Sequence, residues 1–178
     1  IRFYDGAKAL GIKPILGSEI DLEGGYHLTL LCKNLQGYSN LCQLLTHAHL
    51  SNRHGNPQAT KEMLRQYNSG LIALSGCDKG EIPSLLNQGK TKSAKKAAHQ
   101  YKSIFGDDFF IELVRYRSRE GAQGIYRLAM FASGEGIPIV ATNNVHYSDV
   151  GGYAVKEMLN AIDANMPVHA LTGPRTVE

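Results

Sequence analysis

Five side chains in this sequence are of types that hold metal ions and fall where turns would present them: Glu19, His27, Cys77, Asn144 and His146. Asn144 and His146 follow the apolar run 137–141, which is short, rich in β-branched residues and preceded by Gly136. Such a run predicts a buried strand, and chemistry in α/β folds gathers just past the carboxyl ends of strands. Residues two apart on extended backbone point the same way. The Asn144 amide oxygen and the His146 imidazole therefore converge as a metal pair, or they belong to an ordinary polar loop. Glu19 falls near the end of a strand expected over 13–20, and His27 opens another over 26–32. A reversal at Gly24-Gly25 brings both to one rim. Cys77 follows a strand expected over 71–75. Thiolate is a good zinc ligand; the competing reading is a small buried cysteine.

Other candidates are weaker. His47 and His49 are two apart on a helix, where side chains diverge by roughly 200°, so they cannot chelate one ion. His54 falls in a polar loop. Lys90, Lys92, Lys95, Lys96 and Lys102 form the most basic stretch, either a contact for nucleic-acid phosphates or a solvated helix face. There is no phosphate-cradling glycine motif and no nucleophile elbow.

The elements that must position these residues alternate along the chain. Helices are expected over 1–10, 35–50, 61–67, 80–86, 92–105, 118–134 and 152–164, and strands over 13–20, 26–32, 71–75, 108–114 and 137–141. Asn34, Thr60 and Thr91 are the expected caps. The 35–50 helix should bury Leu35, Tyr38, Leu41, Cys42, Leu45 and Ala48. The 92–105 helix should bury Ala94, Ala97, Ala98, Tyr101, Ile104 and Phe105. The 118–134 helix should turn Ile125, Leu128, Ala129 and Ala132 inward, and the last helix Val155, Met158, Leu159 and Ile162. Alternation of this kind implies an α/β fold, open sheet or barrel.

The 178 residues suffice for one domain with a real core. A net charge of +3 is too small to argue for a polyanionic partner. No apolar run approaches a membrane span. Three cysteines without a CxxC pair point to a reducing cytoplasm. The opening residues have no initiator Met and read as mid-helix, which suggests a fragment of a longer chain.

Read in order, the rim residues lie in Gly17-Ser-Glu19, in His27-Leu-Thr-Leu-Leu31 followed by Gly37-Tyr-Ser-Asn-Leu41, in Gly70-Leu-Ile-Ala-Leu-Ser-Gly-Cys77 followed by Gly80-Glu-Ile-Pro83, and in Val140-Ala-Thr-Asn-Asn-Val-His-Tyr147. This order resembles the PHP (polymerase and histidinol phosphatase) domain of bacterial C-family DNA polymerases, over about residues 2–165. The stretch Asn40 to Leu50 and the Asn-Val-His-Tyr ending are most similar to the error-prone branch, associated with damage-induced synthesis. The resemblance implies an incomplete, distorted (β/α)7 barrel over 1–165 that lacks its first strands. Residues 166–178 would then be a linker toward a polymerase domain. It also implies a rim site for Zn²⁺ or Mn²⁺ and metal-dependent phosphodiester hydrolysis, such as 3′–5′ exonuclease action. Glu19, His27, Cys77, Asn144 and His146 match the family's ligand positions.

There are departures. The family's leading His-x-His, its next acidic residue and its Thr-Asp-His motif have no counterpart here. Asn144 stands where metal-competent members carry Asp, and an amide oxygen is the weaker ligand. The expectation is therefore a remnant site, inactive in this chain, with no metal bound as one outcome. The implied partners are DNA, through a parent polymerase, and other polymerase domains or replication and repair subunits, with no membrane. The alternatives are a free-standing PHP phosphoesterase and a metal-free scaffold for polymerase domains.

Overall fold

The computed structural model describes residues 2–53, 55–114, 119–143 and 145–170. After a first helix, α1 (Arg2–Ala9), the chain enters a hairpin of β1 (Gly17–Leu22) and β2 (Tyr26–Cys32). Gly24 and Gly25 make its turn with φ of 91° and 77°, backbone that glycine adopts without strain. The Gly25 N–H donates to the Leu22 carbonyl at 3.0 Å. The strands pair antiparallel, with Leu22 opposite Tyr26 and Asp21 opposite His27. The expected hairpin is present, although its first strand starts at Gly17 rather than Lys13.

Helices α2 (Leu35–Ser51) and α3 (Lys61–Tyr67) lead to β3 (Leu71–Leu74). Then come α4 (Glu81–Asn87), α5 (Thr91–Phe105), β4 (Phe109–Val114), α6 (Arg119–Glu135), β5 (Ile139–Thr142) and α7 (Gly152–Asp163). The five strands form one sheet in the order β1-β2-β3-β4-β5. The β1/β2 and β2/β3 pairs are antiparallel; β3/β4 and β4/β5 are parallel. The parallel pairs need long crossovers, supplied by α4–α5 and by α6. The fold is thus mixed α/β. Among the described residues no helix is long and apolar enough to cross a membrane.

Strand alternation gives the sheet two unlike faces. Ile20, Leu22, Leu28, Leu30, Ala73, Phe109 and Ile111 turn to one side and join the core beneath the helices. By the registers of the ladder, Glu19, Asp21, His27, Thr29, Glu112 and Thr142 share the opposite side. Core burial drives the layer: each fully buried Leu or Ile contributes about 1.5–3 kcal/mol relative to exposure.

Several sequence expectations are corrected. α2 is capped by Asn34, whose side chain accepts from the Gly37 N–H at 2.9 Å, but its buried face is Gly37, Asn40, Leu41, Leu44 and Ala48. Leu35, Tyr38 and Cys42 are exposed, so Cys42 is not a core residue. The helix turns this way because Gly37 lies against the Gly70 carbonyl, where an added Cβ would sit 1.9 Å from the oxygen, and because Asn40 donates to the Ser69 carbonyl at 2.7 Å. Thr60 caps α3 as expected, accepting from the Met63 N–H. Thr91 is the first residue of α5 and not its cap, which is Lys90. In α6, Phe131 joins Leu128 and Ala132 among the buried residues.

Two larger corrections concern the carboxyl-terminal third. β5 is the last strand of the sheet and not a buried one; Ile139 is 52% exposed. Helix α7 buries only Ala161, and its apolar residues Val155, Met158, Leu159 and Ile162 are all more than half exposed. Within the expected linker, Val168–Ala170 forms a helical turn.

Candidate metal centre

The hairpin builds the first half of the site. Glu19 and His27 lie on the same face, diagonal to one another across the β1/β2 ladder. The His27 Nδ1 is 3.0 Å from Glu19 Oε1. Its other ring nitrogen, Nε2, is 3.4 Å from Asp21 Oδ1, the residue directly opposite on β1. Cys77 Sγ is 3.9 Å from the same His27 Nδ1. Glu19, His27 and Cys77 each offer one ligand atom, and these atoms all lie within 4.8 Å of one another.

A tight loop delivers Cys77. Gly76 has φ 81°, and a Cβ there would meet the His27 carbonyl oxygen at 2.7 Å. The Gly80 N–H donates to the Cys77 carbonyl at 2.7 Å and closes the turn, while the His27 N–H donates to the Lys79 carbonyl at 3.1 Å. A Cβ on Gly80 would fall 2.0 Å from the Ser75 carbonyl oxygen. The thiol and the imidazole are therefore held by backbone pairing between their own segments. Burial pushes the Cys77 thiol above its usual range, and the charges of Glu19, Asp78 and Glu112 add to this, against an opposing hydrogen bond from the Lys79 backbone. A thiol in that state remains protonated near neutrality; a cation in the cluster would favour the thiolate.

The donor set suits zinc. In a tetrahedral site with ordinary Zn–N, Zn–O and Zn–S bonds, ligand atoms lie roughly 3.3–3.8 Å apart, between the two distances measured to Nδ1. Asp21 on the far nitrogen stands where a carboxylate would orient the ring of a ligating histidine. Asp21 was not among the residues singled out from sequence. The signal was present: it is two residues from Glu19 on a strand, hence on the same face.

The other candidates divide. His146 is exposed and outside the Glu19, His27, Cys77 group. Asn144 lies outside the described residues, as does His54. His47 is engaged by Tyr67, whose hydroxyl is 3.1 Å from Nδ1. In the basic stretch, Lys95 pairs with Glu135 at 2.7 Å and Lys102 donates to the Gly136 carbonyl at 3.1 Å, so two of its lysines tie α5 to the end of α6. Lys90, Lys92 and Lys96 are solvent-exposed.

Comparison with known proteins gives these positions a family context. The family model for the PHP domain matches residues 1–116. The chain is 38% identical to the DNA polymerase III subunit alpha of Thermus aquaticus over 92% of its own length and 15% of the relative's. It is 39% identical to the error-prone DNA polymerase of Symbiobacterium thermophilum over 91% of its length and 16% of the relative's. A DNA polymerase III subunit alpha from Deinococcus radiodurans is 32% identical, over 91% of this chain and 13% of the relative. The chain thus spans about one sixth or less of the curated relatives it matches. A family match over more than half of the sequence, joined to these identities across nine-tenths of it, establishes that this chain belongs to the PHP domain family.

Proposed function

We propose that the chain serves as the PHP module of a bacterial DNA polymerase of the error-prone kind, carrying the remains of a metal-dependent phosphodiesterase site. The observation that carries this reading is the convergence of Glu19, His27 and Cys77 within 4.8 Å, in a chain whose relatives are named as polymerases. In the whole polymerase the five-stranded sheet would be part of the distorted (β/α)7 barrel, with residues 1–165 as the module and 166–178 as the linker. DNA and the neighbouring polymerase domains would be its partners, in the cytoplasm.

Glu19, His27 and Cys77 would hold the ion, with Asn144 and His146 as the second arm and Asp21 orienting His27. A bound Zn²⁺ or Mn²⁺ ion supplies Lewis-acid polarisation of a phosphate and acidification of water. The chain's own part is to hold its donors rigidly: Asp21 Oδ1, 3.4 Å from Nε2, braces the ring so that Nδ1 faces Glu19 and Cys77, and the loop 75–80 fixes the sulfur. Asn144 in place of a carboxylate weakens the second arm, and this favours a site that binds an ion without turning over a 3′–5′ exonuclease substrate. The same substitution supports a second reading, a scaffold that docks polymerase domains with no metal.

Metal analysis of the purified chain separates the two. Zinc or manganese should co-purify near one equivalent, and Cys77→Ala and His27→Ala should each remove it while the far-ultraviolet circular dichroism is kept. A wild-type chain that holds no metal after dialysis against micromolar zinc would leave the scaffold reading.

A further inference from the structure

β4 lies between the strand that leads to Cys77 and the strand that leads to His146. Its residue Glu112 is bonded to both neighbours. The Glu112 main-chain N–H donates to Ser75 Oγ at 2.9 Å, and the Ser75 N–H donates to the Phe110 carbonyl at 2.9 Å. Ser75 is buried, so water does not compete for these bonds. On the other flank the Thr142 hydroxyl donates to Glu112 Oε1 at 2.6 Å, the short distance of a charge-assisted bond. Ser75 precedes Cys77 by two residues, and Thr142 precedes His146 by four.

The bond to Thr142 has a particular place in the ladder. The β4/β5 pairing ends at Val114 opposite Thr142, so Thr142 is the last laddered residue before the segment that carries His146. β5 has little burial to hold it, with Ile139 and Ala141 exposed. A side-chain bond from the neighbouring strand there replaces the packing that fixes the other strand ends. A half-buried carboxylate in mid-strand is costly without a partner, and this one is spent on the tether.

We propose that Glu112 is a positioning residue. Its main chain fixes the end of β3 and its carboxylate fixes the end of β5, so that the segments bearing Cys77 and His146 keep one spacing. The consequence for an ion rests on the metal-site reading given above; the tether itself does not.

The test uses the full chain and three variants: Glu112→Ala, Glu112→Gln and Thr142→Val. Hydrogen–deuterium exchange over residues 145–150 reports the tether without metal. Titration with Co²⁺, followed by the thiolate-to-cobalt absorption of Cys77, reports the site. Urea midpoints control for global stability. Glu112→Ala and Thr142→Val should each speed exchange over 145–150 about tenfold or more, and should weaken Co²⁺ binding about tenfold to a hundredfold. Glu112→Gln keeps an oxygen that accepts from Thr142 but loses the charge, and should be affected less than Glu112→Ala in both. Unchanged exchange in Thr142→Val, or a Glu112→Gln variant as impaired as Glu112→Ala, overturns the proposal. If Glu112→Ala fails to fold, the contrast between Glu112→Gln and Thr142→Val decides. Variant-sensitive exchange in a chain that binds no Co²⁺ upholds the tether and defeats the metal reading; Co²⁺ binding with exchange indifferent to all three variants does the reverse.

Discussion

The layer beneath α2–α5 and the stretch from β5 to α7 are written in the same apolar vocabulary and end in opposite states. In α5, Ala94, Ala97, Ala98, Tyr101, Ile104 and Phe105 recur at helical spacing, and every one is buried. Tyr101 stacks on Phe109 at 5.3 Å between ring centroids and donates to Glu81 Oε2 at 2.7 Å. In α7, Val155, Met158, Leu159 and Ile162 recur at the same spacing and are solvated. At its start Gly152 lies against Tyr147 and Tyr153 meets the same ring edge-on at 6.2 Å, and in its last turn Ala161 is buried. Periodicity announces that a helix has an apolar face. Whether that face is covered depends on how far the sheet extends, and among the described residues no strand lies beyond β5.

The sharpest way to break this contrast is a pair of truncations. Leu30→Ala, in the covered layer, should lose about 2–5 kcal/mol of unfolding free energy in urea. Leu159→Ala should stay within about 0.5 kcal/mol of wild type. Equal losses would mean that α7 is covered in solution. A smaller effect sharpens the account of the covered side. Tyr101→Phe removes the hydroxyl that Glu81 accepts, leaving that carboxylate to Lys61 at 2.9 Å. Burial, with the adjacent Glu81 charge, holds the Tyr101 phenol far above its ordinary range, which favours the protonated, donating form. The variant should lose about 1.5–3 kcal/mol, and a neutral result would reduce the α3–α4–α5 junction to apolar packing.

The smallest effect lies where α5 meets the end of α6, just before β5. Glu135, at the end of α6, lies 2.7 Å from Lys95 and 3.0 Å from His99 on α5. The hydrogen bond from Lys95, with help from His99, holds its carboxyl below the ordinary range. A depressed carboxyl stabilises the fold above its unfolded value and loses that contribution as pH falls through the folded one. The gap in urea midpoint between wild type and Glu135→Gln should therefore be full at neutral pH and close as pH drops below about 4. A gap that is constant across that range would show that the pair contributes nothing to stability.

Much of the site was legible because strand chemistry is local. Glu19 and His27 needed only a hairpin at two glycines, and Cys77 only a strand end. β2 runs from Tyr26 to Cys32, the bounds expected for it. The rest turned on contacts that hydropathy does not encode. α2 is oriented by a glycine packed on a carbonyl and an asparagine bonded to main chain, so Leu35 and Tyr38, the natural choices for its inner face, point outward. Glu112 carries no local signal, because its partners Ser75 and Thr142 lie far away in sequence. The mistaken interior of α7 came from supposing that an apolar face implies a neighbour.

The turn at Gly24-Gly25 bears on how mutational sensitivity should be mapped. Gly25 is exposed, and a Cβ added to it would meet nothing within 4 Å. A survey that ranks positions by what they touch would call it free to vary. Yet its left-handed backbone, with that of Gly24, sets which residues of β1 and β2 are opposed, and a slip of one residue would carry His27 into the leucine layer and Leu28 to the rim. The register of the ladder, and with it the meeting of Glu19, Asp21 and His27, depends on two residues that contribute backbone geometry and no side chain.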